Sequence, residues 1–370
     1  MVSTQRPVRS GPVRSRASEG PSLNARIEAF LLERGAIAVG FATTETLAGG
    51  PPSVDLTYKL PRARSAVSFA LAFKREHIRP YLAKTDHASH QQDNADIFVK
   101  SKSLSWELAE MLRGEGVEAK GTGAHLKYRK EIPDWEHVLA PDVSHRYIAV
   151  RSGVGSMGWS GNVGIKGYGT AIVLGTTLTT ADLEATDPIP EDEGFCVDCK
   201  LCVAACAADM FEKEKSVTVE IGGVDFTYAA RKNLRSCGMV CGGASGLDAS
   251  GKWSTWSPGR FTVPTDDDDL EDAYHHALGR QAQRPEVPGG VTVVEQFIET
   301  EEAPPKATLT CGNCQIVCWG DRMENGRNVR LLRQSGCVVQ AEDGSLVVMS
   351  ADEAKKAVAE MEPERRSLYE

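Results

Sequence analysis

The stretch that decides the reading of this chain is Phe195-Cys196-Val197-Asp198-Cys199-Lys200-Leu201-Cys202-Val203-Ala204-Ala205-Cys206. Its four cysteines are separated by two, two and three residues. Three thiolates spaced this closely can wrap three corners of one iron–sulfur cubane. The fourth, at the start of a helix pointing elsewhere, is placed to ligate a neighbouring cubane. Structural cysteines scatter, whereas these cluster, and none of the ten cysteines lies before Cys196.

Further along, a second group follows in Cys311-Gly312-Asn313-Cys314-Gln315-Ile316-Val317-Cys318. It has the last part of another such run and lacks a close upstream cysteine. Cys237 and Cys241 are the candidates for that ligand, with Cys241 preferred because Gly242 and Gly243 free the backbone beside it. The crossed arrangement gives one 4Fe–4S cluster to Cys196, Cys199, Cys202 and Cys318. It gives the other to Cys206, Cys311, Cys314 and either Cys237 or Cys241. Zinc is the rival for paired cysteines, but eight ligands in this order match two cubanes. Cys337 stands alone and reads as a small core hydrophobe. The spacing is that of bacterial ferredoxins, with one departure: Ala207 and Trp319, not proline, follow Cys206 and Cys318.

Composition bounds the rest. A chain of 370 residues is long enough for two domains, and its 41% hydrophobic and 25% charged residues are ordinary for a globular protein. No apolar run approaches the roughly 20 residues that span a bilayer. Residues 1–22 are rich in Arg, Ser, Pro and Gly without an apolar core, so they read as a flexible tail and not an export signal. A cytoplasmic location follows, where disulfides are not expected. The net charge of −9 argues against a polyanionic partner.

Residues 23–187 alternate helix and strand. Leu23, Ile27, Phe30 and Leu31 recur at helical spacing before Gly35, and 36–41, 66–73 and 168–178 read as strands. A helix is predicted over 95–113, from Leu104, Leu108, Met111 and Leu112. Pro188 and Pro190 among acidic residues mark a linker. The cysteine-rich region is then 188–330, with an insertion over about 207–310 that carries a hairpin at Gly222-Gly223, an acidic run at Asp266–Asp269 and turns near Pro285–Gly290. A C-terminal segment, 331–370, ends in a polar helix over 351–366. In the first domain, Ser152–Gly169 (SGVGSMGWSGNVGIKGYG) is glycine-dense, and Gly153, Gly155, Gly158 and Gly161 would let backbone approach a large flat or phosphorylated ligand. Gly153 to Gly158 also meets the G-x-G-x-x-G spacing of a nicotinamide or flavin nucleotide site, but a strand follows where a helix should begin.

The glycine segment with Tyr168-Gly169 and the strand after it resembles the cobalamin-binding core shared by reductive dehalogenases and epoxyqueuosine reductases. Phe195-Cys196 with Lys200-Leu201-Cys202 resembles the dehalogenase cysteine run, and Cys311–Cys318 is similar to the second run of both families. The helix carrying Trp106 to Leu112, then Gly116, stands where those families carry a helix. The resemblance covers about residues 23–206 and 311–320. Missing prolines and the 104 residues between Cys206 and Cys311 are departures.

The resemblance implies an α+β protein: an α/β-layered, nitroreductase-like cobalamin-binding core joined to a ferredoxin-like two-cluster domain. It implies a corrinoid held by Gly153, Gly155, Ser156, Met157, Gly158, Gly161 and Tyr168, with the clusters relaying electrons to it. Asp142 lies near where the reductases carry a catalytic aspartate; burial would favour its protonated form, and N-capping is its structural alternative. His145 and Tyr147 are the other candidate proton donors. Arg146 and Arg151 could meet the corrin periphery, and Lys127, Tyr128 and Arg129 could line a substrate pocket. The expected function is reduction of a small organic substrate, dehalogenase-like, with ferredoxin, flavodoxin or a reductase as external electron donor. An epoxyqueuosine-type reductase acting on tRNA is the alternative, and a ferredoxin-type electron carrier the second. Small substrate is placed ahead of nucleic acid because Lys355, Lys356, Arg365 and Arg366 alternate with acids in the 52 residues after Cys318.

Overall fold

The computed structural model describes residues 20–123, 127–133, 135–232, 234–264, 267–288 and 310–370. The first part runs α1 (Leu23–Glu33), β1 (Ala38–Thr43), α2 (Leu56–Lys59), β2 (Ser65–Ala72), α3 (Arg75–Leu82), α4 (Ala88–Gly114), β3 (Ala119–Thr122), α5 (Trp135–Val138), α6 (His145–Arg151), β4 (Ser156–Met157), β5 (Val163–Gly164) and β6 (Ile172–Thr179). Four of its strands make an antiparallel sheet in the order β1-β2-β6-β3.

The two-residue strand period explains the layers. Val67, Phe69 and Leu71 of β2 join Ile27, Leu31, Ile78, Leu104 and Leu108 on one face, so α1, α3 and α4 cover it. Ala66 and Ala70 point to the other face, where Ile148, Ala149 and Val150 of α6 pack. Small residues there let α6 lie close; a Cβ on Gly40 would run into the Ser152 carbonyl at the end of that helix. The fold is therefore mixed α/β, as expected.

Two boundaries differ from the sequence reading. The long helix begins at Ala88, seven residues before the expected start, because polar His90, Gln91 and Asp93 are buried and break the apolar period. Asp93 is satisfied by the Lys74 N–H at 2.8 Å. The terminal helix is two pieces, since Pro363 cannot continue a helix and starts a new one instead.

The second part runs α7 (Leu201–Ala204), β7 (Phe211–Ile221), β8 (Val224–Arg231), α8 (Leu234–Cys241), α9 (Asp267–Gln281), α10 (Asn313–Ile316), α11 (Arg322–Arg333), β9 (Cys337–Gln340), β10 (Leu346–Met349), α12 (Ala351–Ala359) and α13 (Pro363–Arg366). The β7–β8 hairpin turns at Gly222-Gly223 as the sequence suggests, both with positive φ. Gly222 donates its N–H to Ala48, pinning the hairpin to the first part. The later insertion and the C-terminal segment are hydrogen-bonded together, Arg260 N to Tyr369 O at 2.6 Å and Arg284 Nε to Leu368 O at 2.8 Å. The acidic run is the start of α9 from Asp267 on. Asp266, Gly289, Gly290 and residues 1–19 of the expected tail lie outside the described residues.

Candidate iron–sulfur centre and catalytic recess

Asp198 and Lys200 both take left-handed backbone conformations, which coil the chain around the thiols of the first run. Cys196, Cys199, Cys202 and Cys318 line one pocket together with Phe195 and Trp159. Asn325, from α11, donates Nδ2 to the Sγ atoms of Cys199 (3.6 Å) and Cys318 (3.7 Å). Burial pushes the Cys202 thiol up to about 12, and Cys318, Cys196 and Cys199 push it further in the same direction. Four thiolates around one space repel one another, so the space calls for a cationic body. Among the described residues no three His, Cys, Asp or Glu side chains converge tightly enough for a single metal ion. The donor set and the cavity suit a larger thiolate-bound cluster.

The second group is deeper. Burial raises the Cys206 thiol to about 12, with Cys311 and Cys237 adding to it. Burial likewise holds Cys314 well above its usual range, and Cys237, Cys311 and Cys206 are the thiols that act on it. Cys237 thus shares a space with Cys206, Cys311 and Cys314. Cys241 stands behind it, 3.6 Å from the Cys237 Sγ, and its S–H serves both Cys237 and Cys311. That hydrogen bond lowers Cys237 and brings Cys311 to about 7, while Cys241 stays protonated. Cys337 is buried in β9 among Val339, Ala354 and Val358.

The glycine segment folds as the β4–β5 hairpin and the turn that leads into β6. Its glycines are explained by close approach of the chain to itself. Added Cβ atoms at Gly158 and Gly164 would stand 2.7 and 2.6 Å from the Phe195 ring, and one at Gly155 would stand 2.6 Å from the Gly164 carbonyl. At Gly153 and Gly169 the obstacles are the Asp187 and Cys318 carbonyls. The room beside these glycines is taken by protein, so they form no open cradle for a corrin ring. Ser156 Oγ accepts from the Phe195 N–H at 3.2 Å, Met157 packs into the core beside α6, and Tyr168 lies in an exposed turn. The hairpin instead holds the cysteine loops: Asn162 Nδ2 donates to Cys314 Sγ at 3.6 Å, Thr170 N to Cys318 O at 3.0 Å, and Gln315 Nε2 to Ile172 O at 2.6 Å.

The acid–base candidates gather at the start of α6. Ser144, not Asp142, caps this helix, accepting from the Tyr147 N–H. Asp142 is buried with its Oδ2 2.5 Å from Lys59 Nζ, an ion pair with both side chains nearly inaccessible. Lys59 escaped the sequence reading because it lies one helical turn in α2, 83 residues away, with no motif around it. His145 Nδ1 is 2.7 Å from Thr176 Oγ1. The Tyr147 hydroxyl is 2.8 Å from that of Tyr228, and burial keeps it well above the usual phenol range. Arg129 packs on the Tyr58 ring and pairs with Glu131, and Tyr128 is half-buried nearby. Arg146 is solvent-exposed and donates Nη1 to the Gly161 carbonyl at 3.1 Å.

No family model matches the chain. Among curated proteins it is similar to the epoxyqueuosine reductase of Gloeobacter violaceus, 28% identical over 172 residues, 46% of this chain and 49% of that one. It is also similar to the epoxyqueuosine reductase of Synechocystis, 23% identical over 247 residues, 64% of this chain and 76% of that one. The chain spans about half the length of the first relative. Among solved structures, an epoxyqueuosine reductase with a modified tRNA-Tyr stem loop matches with TM-score 0.33 and 18% identity, over 51% of this chain and 52% of that one. A reductive dehalogenase matches with TM-score 0.46 and 15% identity, over 80% of this chain and 41% of that one.

The expectation that placed nucleic acid behind a small-molecule partner is corrected here, because both curated relatives are epoxyqueuosine reductases. Net charge was the wrong quantity, because phosphate contact depends on local cations. On α11 alone Arg322, Arg327, Arg330 and Arg333 are exposed, and none has an ion-pair partner among the described residues. Among the same residues, no helix is long and apolar enough to cross a membrane.

Proposed function

We propose that this chain is an oxidoreductase that relays single electrons through two 4Fe–4S clusters to a recess in its first part, and that it acts as an epoxyqueuosine-type reductase on tRNA. The observation that carries the reading is the sorting of the cysteines into two adjacent thiol-lined spaces. Cys196, Cys199, Cys202 and Cys318 hold the first cluster. Cys206, Cys311, Cys314 and Cys237 hold the second; of the two candidates Cys237 and Cys241, the former is the ligand and the latter a hydrogen-bond donor to it. The two curated relatives support the tRNA substrate over a small organic one, and the arginines of α11 provide cations that phosphates require.

The exposed Cys196 marks where an external one-electron donor delivers charge. A corrinoid, when bound, supplies a low-valent metal able to pass electrons to substrate carbon. Tyr128, His145, Arg146 and Tyr147 border the recess and would hold it, in place of the filled glycine segment. Turning an epoxide into an alkene consumes two electrons and two protons and releases water. Tyr147, with Tyr228 on its hydroxyl, and His145 hold protons at this recess. Asp142, fixed by Lys59, orders its wall.

The test is anaerobic reconstitution with iron, sulfide and a corrinoid, then turnover on an epoxyqueuosine-containing stem loop and on a halogenated phenol. Loss of the epoxide oxygen from the RNA is expected. Halide release alone would move the chain to the small-substrate reading, and fully loaded protein inert towards both would refute the proposal.

A further inference from the structure

Two arginines without an acid meet beside the second group of cysteines. Arg146, in α6, donates Nη1 to the Gly161 carbonyl at 3.1 Å. Arg231, the last residue of β8, reaches the same glycine: a Cβ there would stand 2.9 Å from its Nη2. The neighbouring residue, Asn162, donates to Cys314 Sγ. The Arg231 Nε is buried and makes no hydrogen bond, and among the described residues neither guanidinium has a carboxylate within ion-pair distance.

Placing two like charges together is unfavourable unless a negative charge lies near. Through Gly161 and its neighbour Asn162, both guanidiniums stand beside the turn that meets the Cys314 thiol, a group able to carry that negative charge. At the first group Lys200 is among the lining residues, and its ammonium is shared between Glu214 at 3.9 Å and the face of Trp159.

We infer that Arg146 and Arg231 are the counter-charges of the second cluster and hold its reduction potential up. A cubane on four thiolates is an anion whose charge grows on reduction, and burial disfavours that growth, whereas fixed cations at its edge favour it. These are positioning residues for electron transfer, and the inference rests on the two-cluster reading.

The experiment titrates full-length Arg231→Gln and Arg146→Gln, loaded anaerobically, by spin resonance against a redox poise. Iron is counted first, so a native protein that loads only one cluster refutes the two-cluster reading and not this inference. Both variants are measured, so failure of one to load leaves the other to decide. The expected result is a shift of one cluster signal to more negative potential with the other unmoved. The reduced-to-oxidised ratio at fixed poise should fall about tenfold, equal to about 59 mV for a one-electron couple. Arg231→Lys should restore most of the shift. Full iron with both potentials unchanged would overturn the inference. So would loss of inorganic phosphate binding in place of a potential shift, which would make the pair an anion site for a ligand.

Discussion

Replacing Cys237 and Cys241 one at a time by serine separates the ligand from the donor behind it. Cys237 acts on Cys206 and Cys314 as well as on Cys311, while Cys241 is hydrogen-bonded to Cys237 and Cys311. A cubane among Cys206, Cys311 and Cys314 can therefore find its fourth thiolate in Cys237 without moving α8. The native chain should hold about eight iron and eight sulfide. Cys237→Ser should fall to about four, losing one of two spin-resonance signals after dithionite reduction. Cys241→Ser should keep about eight, because a serine hydroxyl can still donate to both neighbouring sulfurs. Its one change is a small move of one potential, since hydrogen bonds to cluster sulfurs tune it. The assay is colorimetric iron and sulfide after anaerobic reconstitution, read beside the spectra. The reverse pattern, or full iron in both variants, would refute the reasoning from thiol neighbours.

Other perturbations test the frame around the clusters. Gly164→Ala places a methyl about 2.6 Å from the Phe195 ring, and overpacking of this kind costs about 1–3 kcal/mol; calorimetry should show a lower Tm, and an unchanged one would contradict the close packing. His87 and His90 are held down to about 4 by burial, so between about pH 6.5 and 4 the unfolded chain binds protons that the fold refuses. Stability should be full above that window and fall as the pH drops through it, by at most about 3 kcal/mol per imidazole, and flat denaturant midpoints from pH 7 to 4.5 would argue against it. Lys59→Met removes the ammonium from the buried Asp142 carboxylate and should cost up to about 3–5 kcal/mol, most of it recovered in the double variant with Asp142→Asn; equal loss in single and double variants would deny the ion pair its role. Arg327→Gln with Arg330→Gln should flatten the salt dependence of stem-loop binding by about 0.7 to 0.9 in log–log slope per arginine in contact, and an unaltered slope would remove α11 from the contact.

How much of this was legible in the sequence follows from the range of each interaction. The cysteine run could be read because its thiols are separated by two or three residues and their pattern is local. The strands at 36–41, 66–73 and 168–178 could be read for the same reason, their β-branched and apolar runs being the structure's own β1, β2 and β6 to within a few residues. The role of the glycines could not. Glycine density signals close approach but does not name the neighbour, and here the neighbours are Phe195, Asp187 and Cys318, brought in from 31 to 149 residues away by chain folding. The choice between Cys237 and Cys241 could not be made from the sequence for a related reason: local freedom at Gly242-Gly243 says nothing of where α8 points. Lys59 and Arg231 carry no motif, and only the meeting of distant elements makes them part of a site.

The β4–β5 hairpin gives the proposed route its direction. Gly158 and Trp159 line the first cavity, and Asn162, three residues beyond Trp159, donates to Cys314 of the second group. One short turn therefore borders both thiol groups, and its glycines are what allow it to fit between them. The same turn accepts the Arg146 guanidinium at Gly161, one residue along α6 from His145 and one from Tyr147. Burial increases along this line: Cys196 is exposed, while Cys314 lies deep enough that desolvation dominates its thiol. Solvent-exposed thiolates suit contact with an outside donor, and a deep cluster suits delivery inward, where stray water cannot quench the electron. In the proposed function the order of transfer is thus set by depth, and the two arginines offset the penalty that depth would otherwise place on reducing the inner cluster.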